Sequence, residues 1–160
     1  MGADWDCLDI SYYDIFVETL NDSDYRALAR FRFEIRRFLQ FSEEAARLHG
    51  LEPQQHQAML ALKGLPEGEA PTMRALAARL LLKHHSVVGL VDRLEKAGLV
   101  TRLGDPEDAR RVVIRLTRRG EEALRRLSLI HREELQVSGP RLLNAMRSII
   151  SARMKQAEIA

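Results

Sequence analysis

The 160-residue sequence predicts a mainly α-helical protein with one small β-hairpin, and three observations lead to this prediction. Apolar residues recur at helical spacing over most of the chain. Two short β-prone runs, 99–101 and 111–116, flank a turn-forming segment at 104–108 (GDPED). Two closely spaced helices come directly before this hairpin. Together these features predict a winged helix-turn-helix domain with further helices at both ends of the chain.

The stretch around which the chain is organised is a predicted helix over 85–97. Its apolar residues recur at i, i+3, i+4 and i+7, which creates one stripe that must pack against other elements. Gly98 then suits the left-handed position that often follows a helix end. The opposite face of this helix is therefore free to bind a partner. The stripe comprises Val87, Leu90, Val91 and Leu94.

A long helix is predicted near the N-terminus, from its N-cap Ser23 to Leu48, because this segment contains neither Gly nor Pro. Its apolar side chains occupy more than one face. A subunit interface would account for the excess. The predicted stripe comprises Leu28, Phe31, Ile35, Phe38 and Ala45, and Phe33, Leu39 and Phe41 lie off it.

Between these two helices the pattern predicts two shorter ones. Gly50 ends the long helix, and Pro53 opens a second helix that continues to about Lys63. After a loop at 64–71, Thr72 caps a third helix, and a turn at 82–84 joins it to the central helix. The third helix should bury Met73, Leu76, Ala77 and Leu80.

The C-terminal third is predicted to form two helices. Thr117 caps the first, in which Gly120 should be tolerated at a cost of about 1 kcal/mol relative to alanine. The segment at 138–140 (SGP) should break this helix, and a final helix should follow. Both should pack against the long N-terminal helix. The expected anchors are Leu124, Leu127 and Leu135 in the first, and Leu142, Leu143, Met146, Ile149 and Ile150 in the second.

Charge is distributed unevenly along the chain, although the net charge is only +2. Residues 1–22 carry six acidic and no basic side chains, whereas residues 72–119 carry eleven Lys and Arg against five Asp and Glu. The predicted winged helix therefore holds a local excess of six positive charges. An excess of this kind is typical of a surface that contacts nucleic-acid phosphates.

Sequence-specific DNA binding needs short polar groups near the start of a helix, with cations around them. On the central helix the candidates are His84, His85, Ser86, Val88, Gly89, Asp92 and Arg93. At the hairpin tip, Arg110 and Arg111 have the length to enter a minor groove, and Asp108 is placed to support Arg110. An ordinary solvated helix face is the alternative, and the basic hairpin favours DNA.

Enzymatic activity is not predicted, because the sequence contains no HExxH, GxSxG, P-loop or GxGxxG motif. No cofactor is expected. His56 is interpreted as a partly buried histidine rather than a metal ligand, since no Cys, Asp or His stands three or four residues after it. The short apolar runs and the acidic N-terminus favour a cytoplasmic protein.

Three motifs at fixed spacing, VDRLEKAGLV, DPEDxR and LTxxG, resemble the multiple-antibiotic-resistance regulator (MarR) family of bacterial transcription factors. The likeness extends over roughly residues 51–126. It implies a homodimer that binds a pseudo-palindromic operator, often as a repressor released by a small aromatic or phenolic effector. Residues 86–89 correspond to the family's base-reading stretch, Arg110 to its wing-tip arginine and Asp108 to the partner of that arginine. The family often has a polar residue where Gly89 stands and a small one where Arg111 stands.

The resemblance and the residue patterns together predict three parts. Residues 1–22 form an acidic, aromatic tail containing Cys7, a thiol that neighbouring acids should keep unreactive. Residues 23–50 and 121–160 form a helical dimerisation region, and residues 51–120 form the DNA-binding lobe. The predicted function is a ligand-responsive transcriptional repressor. Two alternatives stay open: a winged-helix module for protein contacts, and a DNA-binding regulator without an effector.

Overall fold

The computed structural model describes residues 20–104 and 112–157, with side chains up to Ser151. Residues 1–19 of the predicted tail at 1–22, including Cys7, and the hairpin tip at 105–111 lie outside the described residues. The described part is mainly helical with one antiparallel hairpin, which confirms the predicted fold class. In chain order, the elements are α1 Asp22–Leu48, α2 Pro53–Lys63, α3 Met73–Leu80, α4 His84–Lys96, β1 Val100–Gly104, β2 Val112–Leu116 and α5 Arg118–Ala157.

Helix α1 begins one residue before the predicted cap, because Asn21 and not Ser23 occupies the N-cap position. The Asn21 side chain accepts a hydrogen bond from the Ser23 amide at 2.7 Å. In return, the Asp24 carboxylate accepts the Asn21 amide at 2.9 Å, which completes a capping box. Ser23 cannot form the same reciprocal arrangement, since residue 26 is an arginine.

Helices α1 and α5 pack against each other, as the sequence predicts. Near its C-terminus α1 is closely covered, and Ala45 and Ala46 are buried there. Towards its N-terminus the helix is more open: Leu28 is exposed although the pattern places it on the buried stripe. Phe33 and Leu39 are exposed, in agreement with their position off the stripe.

Helix α5 is continuous through Pro140, so the predicted break at 138–140 is wrong. Proline in a helix interior removes one backbone hydrogen bond and costs about 3 kcal/mol. The helix nevertheless continues, because its apolar face packs on both sides of the proline, with Leu127 and Ala145 both buried. The predicted anchor Leu135 is exposed, in contrast to Leu124 and Leu127.

The winged lobe forms around the buried stripe of α4. Val87, Leu90, Val91 and Leu94 are all buried, as predicted, and pack with residues from α2, α3 and the hairpin. In the hairpin, Val100 pairs with Leu116 and Gly104 with Val112. The segment before α3 adds to the sheet, because the Ile114 amide donates to the Pro71 carbonyl at 2.7 Å. This contact fixes the start of α3 beside the wing.

The turn between α3 and α4 contains a leucine in the left-handed conformation. Leu81, with φ of 53°, ends α3, and α4 begins at His84. Such a conformation costs a branched side chain about 1–2 kcal/mol. The turn starts at Leu81, one residue earlier than the pattern predicts. Helix α3 buries only Ala75 and Leu76 fully. The predicted Met73, Ala77 and Leu80 are half-buried against the core.

Gly120 lies where the first turn of α5 approaches the end of α4. A Cβ at this position would be 2.0 Å from the Leu99 carbonyl oxygen, a backbone atom that cannot simply move aside. The expectation that glycine here is only a tolerated cost is therefore wrong, since alanine cannot fit. Thr117 also holds the first turn of α5 against the residues that follow α4. Its side chain donates to the Gly98 carbonyl at 2.7 Å and accepts from the Gly120 amide at 3.1 Å.

We therefore expect Gly120→Ala to lower the free energy of unfolding by about 3 kcal/mol, because the added methyl group forces the Leu99 backbone and α5 apart. Urea unfolding at matched protein concentration measures this loss. The control is Gly139→Ala in the same helix, where a Cβ meets no atom within 4 Å of the described chain. That variant should gain about 0.5–1 kcal/mol from helix propensity. Equal stability of the two variants would contradict the close approach.

Candidate nucleic-acid interface

Helix α4 has one buried face and one face open to solvent. His84, His85, Ser86 and Arg93 are exposed, while Val88 and Gly89 are half-buried. Asp92 is exposed as well, so all seven residues that the sequence selected on this helix lie outside its buried stripe. Their side chains cover the first three turns. This is the arrangement that a helix needs to present polar groups to base edges in a major groove.

The start of α4 is also suited to a phosphate. Lys83 occupies the N-cap position, and its side chain makes no capping hydrogen bond within the described chain. The first amides of the helix are consequently not satisfied by a side chain. Helix N-termini of this kind attract anions through their N–H groups and the helix dipole.

Gly89 leaves space that a neighbouring side chain uses. A Cβ at Gly89 would meet one group of the described chain within 4 Å, the Arg93 guanidinium at 3.7 Å. Arg93 lies one turn further along α4 and folds back across this position. The glycine and the arginine therefore form one continuous surface. The Arg93 guanidinium lies next to the position that a Cβ at residue 89 would occupy.

The hairpin strands hold the wing beside α4, but its tip lies outside the described residues. Asp108, Arg110 and Arg111 are all in the segment 105–111, so their predicted roles stay predictions. The last described pair of the two strands is Gly104 with Val112.

Arg102 on β1 links the wing to α4, and the sequence analysis did not single it out. Its guanidinium donates to the Asp92 carboxylate and to the Glu95 carboxylate, each at 2.5 Å. Its backbone amide also donates to Glu95, at 3.2 Å. The hydrogen bond to Asp92 and the charges of both carboxylates raise the pKa of Arg102 above its ordinary value.

This three-residue cluster assigns Arg102 and Asp92 to roles other than base contact. Asp92 was one of the candidate DNA-facing residues, yet its carboxylate is occupied by Arg102. Arg102 in turn neutralises two acidic side chains on the helix that should approach phosphates. Sequence spacing could have identified Asp92 and Glu95 as neighbours on one helix face, at i and i+3. The arginine could be added only once the hairpin geometry was known.

A second site lies where α1, α2 and α5 meet, beside the winged lobe. It is a cavity of about 420 Å³ with apolar walls from Phe38, Leu60 and Leu135 and polar groups from His56, His131 and Arg132. His56 is buried, with 3% of its surface exposed, so the expectation of a partly buried or rim histidine is wrong. Neither of its ring nitrogens has a hydrogen-bond partner among the described residues. Burial, followed by the nearby His131, lowers the pKa of His56 to about 4.

His131 makes the hydrogen bonds that His56 lacks. Its Nδ1 lies 2.7 Å from the Leu127 carbonyl oxygen and must donate to it, since a carbonyl only accepts. Its Nε2 lies 2.8 Å from Ser42 Oγ, and in the tautomer with the proton on Nδ1 it accepts a hydrogen bond from that hydroxyl. The two imidazole rings are in contact, with centroids 4.6 Å apart and planes tilted by 41°. His131 is thus satisfied by α1 and α5, whereas His56 has no partner among the described residues.

Two further findings limit the chemistry of the described residues. In this part of the chain, no three His, Cys, Asp or Glu side chains are grouped closely enough to hold a metal ion. None of its helices combines the length and the apolar character that a membrane crossing needs.

The fold and the exposed basic helix beside a hairpin define a winged-helix DNA-binding protein. A family model described as MarR family matches residues 49–111. The chain is 34% identical over 109 residues to the uncharacterized HTH-type transcriptional regulator YkoM of Bacillus subtilis, an alignment that covers 66% of this chain and 69% of YkoM. The protein therefore belongs to the MarR family and is a DNA-binding transcriptional regulator.

Solved structures agree with this fold. AbsC, a MarR family transcriptional regulator from Streptomyces coelicolor, superposes with a TM-score of 0.67 at 23% identity, covering 87% of this chain and 95% of AbsC. CouR from Rhodococcus jostii RHA1, in a structure bound to p-coumaroyl-CoA, superposes with a TM-score of 0.52 at 28% identity. That superposition covers 75% of this chain and 80% of CouR.

From the Arg102 cluster we expect Arg102→Gln to weaken DNA binding about tenfold, because two carboxylates on α4 lose their neutralising partner, each pair being worth up to ~1 kcal/mol. Fluorescence anisotropy with labelled duplex DNA measures this loss. Adding Asp92→Asn and Glu95→Gln to the same variant should restore most of the affinity.

If Arg102 instead bound a phosphate itself, the triple variant would stay as weak as the single one. In that case the slope of log affinity against log salt would also fall by about one unit in both variants. Restoration by neutralising the acids thus separates a positioning role from a direct contact.

Proposed function

We propose that the protein is a homodimeric repressor that binds a pseudo-palindromic operator and responds to a small-molecule effector. The observation that carries the proposal is the face of α4 opposite its buried stripe, where short polar side chains and Arg93 are exposed together. Helix α4 enters the major groove in this proposal, and the wing reaches the adjacent minor groove. Two recognition helices then contact half-sites about one helical turn apart.

Individual residues take distinct roles in this proposal. Ser86 and Val88 read base edges, the first by hydrogen bonding and the second through a thymine methyl group. His84, His85 and Arg93 surround them, while Gly89 allows Arg93 to lie close to the helix axis. Arg110, supported by Asp108, and Arg111 bind the minor groove and its phosphates. Arg102 serves as a positioning residue that keeps α4 and the wing in register.

Dimerisation is supported by apolar side chains that one chain leaves uncovered. Leu143, Met146 and Ile150 are exposed along one side of α5, at helical spacing, and Phe33 and Leu39 are exposed on α1. Exposed apolar patches of this extent mark interfaces in soluble proteins. Because α1 and α5 pack together, a second copy can cover both patches through a two-fold contact. The regions 23–50 and 121–160 then form the dimerisation part.

Effector responsiveness is supported by the cavity at the junction of α1, α2 and α5. Its volume of about 420 Å³ lies within the range of small-molecule sites, and apolar walls with a few polar groups are typical of such sites. The relative CouR has been solved bound to p-coumaroyl-CoA. An occupant of this cavity would touch both the dimerisation helices and α2 of the winged lobe, and could therefore change how the two recognition helices are spaced.

The operator is identified by selecting bound sequences from a random DNA pool and aligning them. A pseudo-palindrome with half-sites about ten base pairs apart is expected. If no DNA is retarded even at low salt, the protein-contact module becomes the better interpretation. If an operator emerges but no small molecule alters binding, a DNA-binding regulator without an effector becomes the better interpretation.

On this operator, Arg110→Ala should weaken binding to specific and random DNA alike and lower the salt slope by about one unit, because a phosphate-neutralising cation is lost. Ser86→Ala should instead alter base preference at one position of each half-site. Anisotropy titrations at several salt concentrations measure both effects. Arg147→Ala is the matched control, since 29 residues of helix place this arginine roughly 40 Å from the start of α5. Identical effects of Arg110→Ala and Ser86→Ala on all DNA would contradict the assigned roles.

For the dimer, Leu143→Glu combined with Ile150→Glu should shift the protein towards monomer, because two carboxylates would have to be buried at the interface. Sedimentation velocity over a range of protein concentrations measures the change, and circular dichroism verifies that the helices persist. Ser148→Glu, which adds a charge on a different side of α5, should leave the dimer intact. A wild-type protein that sediments as a monomer throughout would refute this part of the proposal.

A further inference from the structure

Arg93 lies over a residue of α4 that has no side chain of its own. In an α-helix the Cα–Cβ bond tilts towards the N-terminus, so a long side chain covers the turn before its own Cα. Arg93 follows this rule, because its Nη1 lies 3.7 Å from the point that a Cβ of Gly89 would occupy. The guanidinium is therefore about one turn nearer the start of α4 than the Arg93 backbone.

This displacement brings the guanidinium to the part of α4 that can reach base edges. Arg93 belongs to the last turn of the helix, whereas recognition helices contact bases mainly near their N-terminus. Gly89 stands three residues after Ser86 and shares its face of the helix. The guanidinium thus lies one turn from Ser86, a residue to which the proposed function assigns a base contact.

The displacement also moves the guanidinium towards the middle of the exposed face. At 3.6 residues per turn, Arg93 itself is about 110° from the centre of the buried stripe, and Gly89 is about 150° from it. A side chain on the flank of a recognition helix points to the phosphates that border the groove, and one in the middle of the face points to its floor. The position over Gly89 therefore favours a base over a phosphate.

The acidic residues of α4 leave the Arg93 guanidinium available. Asp92 and Glu95 both accept hydrogen bonds from Arg102. Among the described residues, neither of them forms an ion pair with Arg93, which is exposed. The N–H donors of Arg93 can consequently be used by an acceptor outside the chain.

The chemistry of the guanidinium restricts which base it can read. It is a planar fork of donors and contains no acceptor. In the major groove guanine presents two neighbouring acceptors, O6 and N7, which match this fork. Adenine and cytosine present an amino donor there, and thymine presents one acceptor beside a methyl group. Guanine is therefore the base that fits.

We propose that Arg93 reads one guanine in each half-site by donating to its O6 and N7, an inference that rests on the proposed function and adds the base that α4 selects. Gly89 provides the space for this contact. A larger side chain at position 89 would occupy the place of the guanidinium and turn it towards the flank of the helix, where the phosphates lie.

The first experiment selects bound sequences from one random DNA pool with three full-length proteins in parallel: wild type, Arg93→Ala and Lys96→Ala. Wild type should enrich a guanine at one position of each half-site. On duplexes that differ at this base pair alone, Arg93→Ala should lose a preference of about ten- to a hundredfold and keep the preferences at other positions. Lys96→Ala is the matched control, since it removes an exposed cation from the same turn and should leave every base preference unchanged.

A modified DNA base tests the contact itself. Replacing the enriched guanine by 7-deazaguanine removes the N7 acceptor and leaves the Watson–Crick pair intact. In anisotropy titrations the affinity of the wild type should fall about tenfold. The affinity of Arg93→Ala should show no further loss, because the same interaction can be lost only once.

Gly89→Val tests the space over the glycine. Its two methyl groups extend from a Cβ that already lies 3.7 Å from the guanidinium, so they should displace it. This variant should lose the guanine preference although Arg93 is still present. Circular dichroism verifies that α4 persists. A guanine preference of wild-type strength in Gly89→Val would contradict the proposed position of the guanidinium.

The outcomes separate the inference from the proposed function. If Arg93→Ala weakens binding to all duplexes equally and lowers the salt slope by about one unit, Arg93 contacts a phosphate and the inference is overturned, while operator binding stands. An operator without an enriched guanine, or a guanine preference that persists in Arg93→Ala, would overturn it as well. If wild type enriches no sequence and retards no DNA at low salt, the proposed function fails and the inference with it.

Discussion

The close approach of two backbones at Gly120 and Leu99 is the constraint on which the arrangement of the two halves depends. Helix α5 starts directly after β2 and continues for 40 residues, so its direction decides where the rest of this helix lies relative to the wing. That direction is fixed in its first turn, where Thr117 bonds both to Gly98 at the end of α4 and to the Gly120 amide. Only a residue without a Cβ fits there. Helices α4 and α5 are thereby held in a fixed relative position.

On this body, electrostatics determine which charges are available to DNA. Helix α4 carries two acidic side chains, Asp92 and Glu95, that by themselves would repel phosphates. Arg102 satisfies both, through contacts that also hold β1 against the helix. Arg93, by contrast, has no such acidic partner among the described residues and lies across Gly89. One arginine is thus paired with two carboxylates and the other with none among the described residues, a difference that the net charge of the segment cannot reveal.

The sequence predicted those features that depend on neighbours along the chain. The four buried residues of α4, the left-handed Gly98, the Thr72 cap and the two hairpin strands all follow from periodicity or from local turn chemistry. The errors arose where distant contacts override a local rule. Pro140 would end an isolated helix, yet packing against α1 keeps α5 continuous through it. By helix propensity alone, glycine at position 120 weakens the helix, but the Leu99 carbonyl beside it leaves no room for any other residue.

The same distinction applies to the candidate sites. The exposed face of α4 was recognisable because it is the complement of a periodic stripe, and periodicity is a local property. The histidine pair was not recognisable, since 75 residues separate His56 from His131 and neither belongs to a motif. The folded chain places the two rings side by side: His131 has a carbonyl and a hydroxyl as partners, whereas His56 is buried beside it with no partner among the described residues. This difference arises only when α2 and α5 pack together, so no local pattern in the sequence could predict it.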